Sequence, residues 1–291
     1  MPAPTQRGDS RIVNALTIDV EDYFQVSAFA PHIARADWPN IPCRIERNIE
    51  RILAMLDQHG VKATFFTLGW IAERYPEIVR RIVAEGHELA SHGYAHERAT
   101  SQTPDAFLAD IQLAKIVLED ISGGETKGYR APSFSVGTSN RWAPACIEQA
   151  GYLYSSSIYP IAHDHYGMPD APRFAYTSFG KLLEVPLTTV RLFRKNWPAA
   201  GGGYFRLLPY ALSRWCIGHV NAVDKQPAIF YFHPWELDPE QPRVSGISRK
   251  TRFRHYVNLD RMEERLGKML RDFAWGRADE VFLGRSQVPA G

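Results

Sequence analysis

EGHELASHGYAH, residues 85–96, couples a short strand to two histidines four positions apart. His87 to Ser91 read as a strand opened by Gly86, which puts His92 and His96 just past its C-terminal end. Parallel α/β folds build their sites at that end. If the chain turns helically there, positions i and i+4 face the same ion, and neutral imidazole is a common ligand for zinc and similar metals. Ten histidines in 291 residues also produce such pairs by chance, so the remaining parts of a site have to come from other strand ends.

The first of these is IVNALTIDV, residues 12–20, an apolar run followed by Glu21 and Asp22. In an extended chain Asp19 and Glu21 share a face, while Asp22 points away unless the chain has already turned. Two carboxylates on one face of a buried strand end need a cation or donors to answer them. Tyr129-Arg130-Ala-Pro132-Ser-Phe134 brings an arginine to another strand end, where it can pair with a carboxylate through a forked contact. Phe230-Tyr-Phe-His233-Pro-Trp235-Glu carries a histidine out of an apolar strand. Alone it reads as a core histidine; facing a metal and an aspartate it becomes a general acid.

The order of elements fixes the fold class. Strands are expected near 12–20, 61–68, 87–91, 128–130, 152–157, 182–187 and 228–232. Helices are expected over 44–59, closed by Gly60; over 76–84, opened by Pro76; after Thr103-Pro104; from Ser139 to Gln149; and over 259–273, capped by Asn258. Strands alternating with helices imply a parallel sheet with right-handed crossovers. Seven strands with polar C-terminal ends suggest a closed or nearly closed barrel, with a doubly wound open sheet as the alternative. Residues 1–10 read as a polar tail, the rest as one domain. Residues 159–181 and 190–206 read as rims or lids. The basic stretch 243–256 reads as a solvated loop, or as a contact for an anionic polymer or a carrier-lipid phosphate, and 241–291 as a C-terminal extension packed on the barrel.

The composition, 45% apolar and 23% charged with a net charge of +2, is that of a globular protein and argues against a dedicated nucleic-acid binder. Cys43, Cys146 and Cys216 have no metal spacing and suit a reducing compartment. No secretory h-region opens the chain, and no apolar run approaches the ~20 residues of a membrane span. The expectation is a cytoplasmic protein, with the inner face of the membrane as a place of work.

Taken together, Thr17-Ile-Asp19-Val-Glu21-Asp22-Tyr-Phe, Ser91-His92-Gly-Tyr-Ala-His96, Tyr129-Arg130-Ala-Pro132-Ser-Phe134 and Phe232-His233-Pro-Trp235-Glu-Leu-Asp238-Pro resemble the polysaccharide deacetylases with a NodB-homology domain, carbohydrate esterase family four. The stretch 252–260 is similar to their exosortase-associated exopolysaccharide branch. The resemblance implies a distorted (β/α)7 barrel and metal-dependent removal of N-acetyl groups from an N-acetylated oligo- or polysaccharide or its lipid-linked precursor. It implies Asp19 as general base, Arg130 as the group orienting it, His233 as general acid, and His92 and His96 as ligands of a divalent metal, zinc first. It implies sugar contacts at Tyr129, Pro132, Phe134 and Trp235. The family's acidic ligand falls on Glu21, with Asp22 as the alternative. Ser155 stands where an aspartate is expected. An allantoinase-like amidohydrolase and a non-catalytic sugar-binding module are the two other readings.

Overall fold

The structure, a computed structural model, describes residues 12–163 and 167–284; the expected tail 1–10 lies outside them. Its strands are β1 (Val13–Val20), β2 (Thr64–Thr67), β3 (Glu88–Ser91), β4 (Gly128–Tyr129), β5 (Tyr154–Ser155), β6 (Tyr176–Phe179), β7 (Leu182–Glu184), β8 (Thr189–Leu192), β9 (Lys195–Pro198), β10 (Ile229–Phe232) and β11 (Ala274–Gly276). Between and after them run α1 (Ile45–Gln58), α2 (Gly69–Arg74), α3 (Pro76–Ala84), α4 (Pro104–Ser122), α5 (Ala143–Gln149), α6 (Gly202–Leu207), α7 (Tyr210–His219), α8 (Arg249–Tyr256) and α9 (Met262–Asp272).

The main sheet runs in the order β10-β1-β2-β3-β4-β5-β7-β6, with β11 also paired to β1. The seven strands from β10 to β7 are parallel, and β6 adds an antiparallel edge. The sheet curls into a half-barrel. All seven strands expected from the sequence are present. Among the described residues no strand pairing joins the β6–β7 edge to β10. Residues 185–200 cross that seam instead, and Ile229 N–H donates to Thr188 Oγ1 at 2.7 Å. Seven of the eight residues of β1 are buried, because helices cover one face and the barrel interior the other. Leu16, Ile18 and Val20 join α1 residues Ile49, Ile52 and Leu56 in the largest apolar cluster.

Register places the site. Val20 pairs with Thr67, Thr67 with Ser91, Ser91 with Tyr129, Tyr129 with Ser155 and Ser155 with Glu184. The next residues along these strands, Glu21, His92, Arg130 and Ser156, therefore emerge at one rim. On the other side of β1, Ile18 pairs with Phe232, so His233 emerges beside Asp19.

Several local expectations change. Ser139 does not cap α5; a 3-10 turn at Thr138–Asn140 precedes it, and its bond comes from Gly137 N–H to Asn140 Oδ1 at 2.8 Å. Asn258 has φ +50° and donates to the Arg206 carbonyl at 2.8 Å rather than capping a helix. The basic stretch contains α8, whose first turn is capped by Ser248 accepting from Thr251 N–H at 3.1 Å. The region 190–206 supplies the β8–β9 hairpin and α6. Cys43, Cys146 and Cys216 are all free thiols, and no described helix is long and apolar enough to cross a membrane.

His87, at the opposite end of β3, is buried and accepts from Ala63 N–H through Nδ1 at 3.1 Å, a bond that only a neutral ring makes. Burial, reinforced by Lys62, holds its pKa down at about 4. Because the folded value lies below the unfolded one, the unfolded chain takes up the proton first. His87 therefore contributes stability above pH ~6.5 that is lost as pH falls towards 4. The stability difference between the native chain and His87→Gln should shrink by roughly 2–3 kcal/mol across that window. Urea unfolding of both proteins at a series of pH values checks it, and a pH-independent difference would refute the assignment.

Candidate active site

The site is built on three residues whose ligand atoms converge. Glu21, His92 and His96 each offer one donor atom, all within 4.8 Å of one another and all buried. His92 and His96 do not meet across a helical turn as the spacing predicts. They flank a non-helical loop in which Gly93 has φ +76° and His96 φ +52°, and their ring centroids lie 5.3 Å apart. His96 holds a left-handed conformation that costs energy for a residue with a Cβ.

His92 Nδ1 lies 2.8 Å from the Arg130 carbonyl. A carbonyl only accepts, so Nδ1 carries the proton and Nε2 keeps a bare lone pair. Burial holds the His92 pKa at about 4, so the ring is neutral, the form that binds metal. Glu21 Oε1 accepts from Trp235 Nε1–H at 3.2 Å. Its buried Oε2 has no hydrogen bond, although His96 Nε2 stands 2.6 Å away. Burial would raise the Glu21 pKa, but the nearby His96 and His233 outweigh it and hold the carboxyl well below its usual range. A carboxylate oxygen without a donor, facing two imidazoles, is the donor set that suits a divalent ion; these residues fit one.

Asp19 stands beside this trio. Its Oδ1 accepts from Arg130 Nη1 at 2.6 Å. The fully buried guanidinium also donates to Thr17 Oγ1 at 2.8 Å, to the Ser156 carbonyl at 3.1 Å and to Ser156 Oγ at 2.9 Å, and it stacks over Phe66 at 4.1 Å. Four hydrogen bonds and a ring face leave it one orientation. His233 lies at the rim, its Nε2 3.5 Å from Glu21 Oε1 and 4.0 Å from Asp19 Oδ2. Burial works against its charge, but Glu21, Glu236 and Asp19 lift its pKa to about 9.

Asp22 is a correction: it is not a ligand. Its backbone is still extended, so alternation points it away from the Asp19–Glu21 face, and its carboxylate accepts from Tyr23 N–H at 2.7 Å, from the Cys43 thiol at 2.9 Å and from Arg44 N–H. Tyr129 and Pro132 are corrected too. Tyr129 points behind the sheet between Phe107 and Tyr152, at centroid distances of 5.9 and 5.4 Å. Pro132 is buried and packs near Gly93. Neither lines the cavity of about 380 Å³ above the site, whereas Phe134 and Trp235 do. Trp235 is sandwiched between His233, at 5.1 Å, and His255, at 4.1 Å.

Sequence reasoning missed three buried charges. Glu184 takes the place beside Ser155 where an aspartate was expected. It accepts from Ser157 and Ile158 N–H at 2.8 and 2.9 Å, and burial raises its pKa. Glu236 pairs with Arg206 at 3.1 Å and accepts from His233 N–H at 3.0 Å. Arg206 also donates to the carbonyls of His255 and Val257, the latter at 2.6 Å, tying the end of α8 to the rim. An acid inside the apolar run 182–187 and three consecutive glycines at 201–203 were the available signals. A Cβ at Gly202 would sit 1.8 Å from Glu236 Oε2. Gly202→Ala should therefore destabilise the fold by about 1–3 kcal/mol through overpacking. Denaturant unfolding measures it, and an unchanged midpoint would show that Glu236 relaxes freely.

Comparison with known proteins follows the same geometry. Residues 37–154 match the family model described as polysaccharide deacetylase. That segment, less than half of the chain, is similar to polysaccharide deacetylases. A second family model, described only as a domain of unknown function (DUF3473), matches residues 156–283. The chain is 40% identical over 82 residues to a peptidoglycan-N-acetylglucosamine deacetylase of Bacillus cereus, covering 28% of this chain and 30% of that protein. It is 45% identical over 60 residues to a chitooligosaccharide deacetylase of Bradyrhizobium, covering 21% and 25%. It thus spans about a third or less of these curated relatives. A solved structure titled a putative polysaccharide deacetylase from Mycobacterium smegmatis superposes with a TM-score of 0.60 at 22% identity, over 98% of this chain and 94% of that one. This likeness shows the fold alone, a curled (β/α) barrel. The deacetylase match contains His92, His96 and Arg130. The segment of unknown function supplies Glu184, Arg206, His233, Trp235 and Glu236 to the same rim, while Asp19 and Glu21 precede both.

Proposed function

We propose that this protein hydrolyses the N-acetyl group of an amino-sugar polysaccharide, or of its lipid-linked precursor, with a divalent ion held by Glu21, His92 and His96, zinc first. The observation that carries the reading is the convergence of those three ligand atoms beside the Asp19–Arg130 pair and His233, at the floor of one open cavity. The deacetylases similar to this chain support the substrate class.

A bound divalent ion would supply Lewis-acid polarisation of the acetamide carbonyl and acidify water. Asp19, fixed by Arg130, accepts the proton of the water that attacks the carbonyl carbon. His233 donates a proton to the nitrogen as the carbon–nitrogen bond breaks, giving acetate and a free amine. Around the turn after Arg130, Ala131 N–H is bonded to Ser157 Oγ and Phe134 N–H to the Ala131 carbonyl. Ser133, which lines the cavity, carries the remaining backbone N–H of that turn and is assigned to the developing oxyanion. Thr251, Phe253 and Arg254 of α8 also line the cavity. This supports a polymer or a carrier-linked sugar as substrate.

Metal content by elemental analysis, paired with acetate release from an N-acetylglucosamine oligomer before and after chelation, tests the reading. About one metal per chain and release that stops on chelation and returns with zinc are expected. Metal without acetate moves the substrate to another amide. No metal after reconstitution leaves a sugar-binding module.

A further inference from the structure

A second cavity, of about 460 Å³, adjoins the first and is lined by Ile33, Arg35, Trp38 and Ser101 among others. The two share Val26, Ser27, Ala28, His96, Arg98 and Thr251, so they form one groove with His96 and Arg98 at the junction. The other charged side chains along it are engaged. Arg35 pairs with Glu97 at 3.0 Å, Arg206 with Glu236 at 3.1 Å and Asp19 with Arg130 at 2.6 Å, and Arg254 has its own partner.

Arg98 differs. It is half-buried, and among the described residues its side chain makes no hydrogen bond and no ion pair. Its surroundings in the second cavity include Val26, Ala28, Ile33 and Trp38. A guanidinium withdrawn from water without a counter-charge is unfavourable, and its planar fork matches carboxylate and phosphate oxygens. The neighbouring cation, Arg35, is already neutralised, so the free charge is one site wide.

We propose that Arg98 forms an anion subsite, binding a carboxylate or phosphate carried next to the sugar that loses its acetyl group, and that it selects acidic substrates over neutral ones. The assignment rests on the deacetylase reading for its reaction, but on the groove alone for its ligand.

Three probes separate the possibilities: a neutral N-acetylglucosamine tetramer, a tetramer alternating N-acetylglucosamine with glucuronic acid, and N-acetylglucosaminyl diphosphate on a short lipid. One acidic probe should exceed the neutral one in kcat/KM by about tenfold to a hundredfold, the span of a charge-assisted fork, and the preferred probe names the anion's source. Arg98→Met should bring that ratio near one, mainly through KM, and Arg98→Lys should restore part of it. A native ratio near one for both acidic probes, or a preference that survives in Arg98→Met, overturns the subsite. If no probe releases acetate, the deacetylase reading fails instead. Calorimetric binding of the two acidic probes to native protein and Arg98→Met then decides the subsite: weakening by about tenfold or more supports it, and equal or absent binding overturns it.

Discussion

Asp19→Asn should lower acetyl release by about 10²- to 10⁴-fold, the range for losing a positioned general base, with metal content unchanged. The amide keeps an oxygen where Oδ1 accepts from Arg130 at 2.6 Å, so the local geometry survives. What it loses is the second oxygen as a proton acceptor, the one 4.0 Å from His233 Nε2. Asp19 is not among the three converging ligand atoms, so elemental analysis should still find metal. Full activity in the variant would remove Asp19 from the chemistry. Loss of metal together with activity would make it a ligand rather than a base.

Arg130→Met should be the most damaging change at the rim. Removing one partner of a buried ion pair costs about 3–5 kcal/mol, because the other charge is left uncompensated. Here the loss extends to Thr17 and to both groups of Ser156. A small domain has only ~5–15 kcal/mol in hand, so the midpoint of urea unfolding should fall steeply. In the fraction that stays folded, kcat should drop more than KM rises, because Asp19 is misaligned. A double variant with Asp19→Asn should recover part of the stability but none of the activity. A single variant as stable as the native chain would show that water enters and solvates Asp19, and that Arg130 is not a structural clamp.

Much of this was readable from residue order. Seven strands followed from apolar runs spaced by helical periodicity, and the polar residues just after Val20, Ser91, Tyr129 and Phe232 marked the rim. Strand alternation put Asp19 and Glu21 on one face and left Asp22 to the turn that follows. The failures share a cause: side-chain direction after a strand ends depends on backbone turns that spacing does not encode. His96 reaches its partner through a left-handed residue, not a helix. Tyr129 belongs to a strand residue facing outward, and Pro132 is spent on the turn. Glu184 and the Arg206–Glu236 pair escaped because each answers a residue far away in the chain, Arg206 lying 30 positions from Glu236. Distant pairs of this kind leave no local period to read.

The neighbouring positions of β1 and β10 in the sheet set a timetable for the growing polypeptide. A ribosome-borne chain that has delivered residue 130 already contains Asp19, Glu21, His92, His96 and Arg130. It still lacks His233, Trp235 and Glu236. Domains close during synthesis from their early segments onward, so the three converging side chains exist before the residues that complete the rim. The rim is complete only when a strand made more than 200 residues after β1 pairs beside it, as the register Ala15 to Ile229 requires.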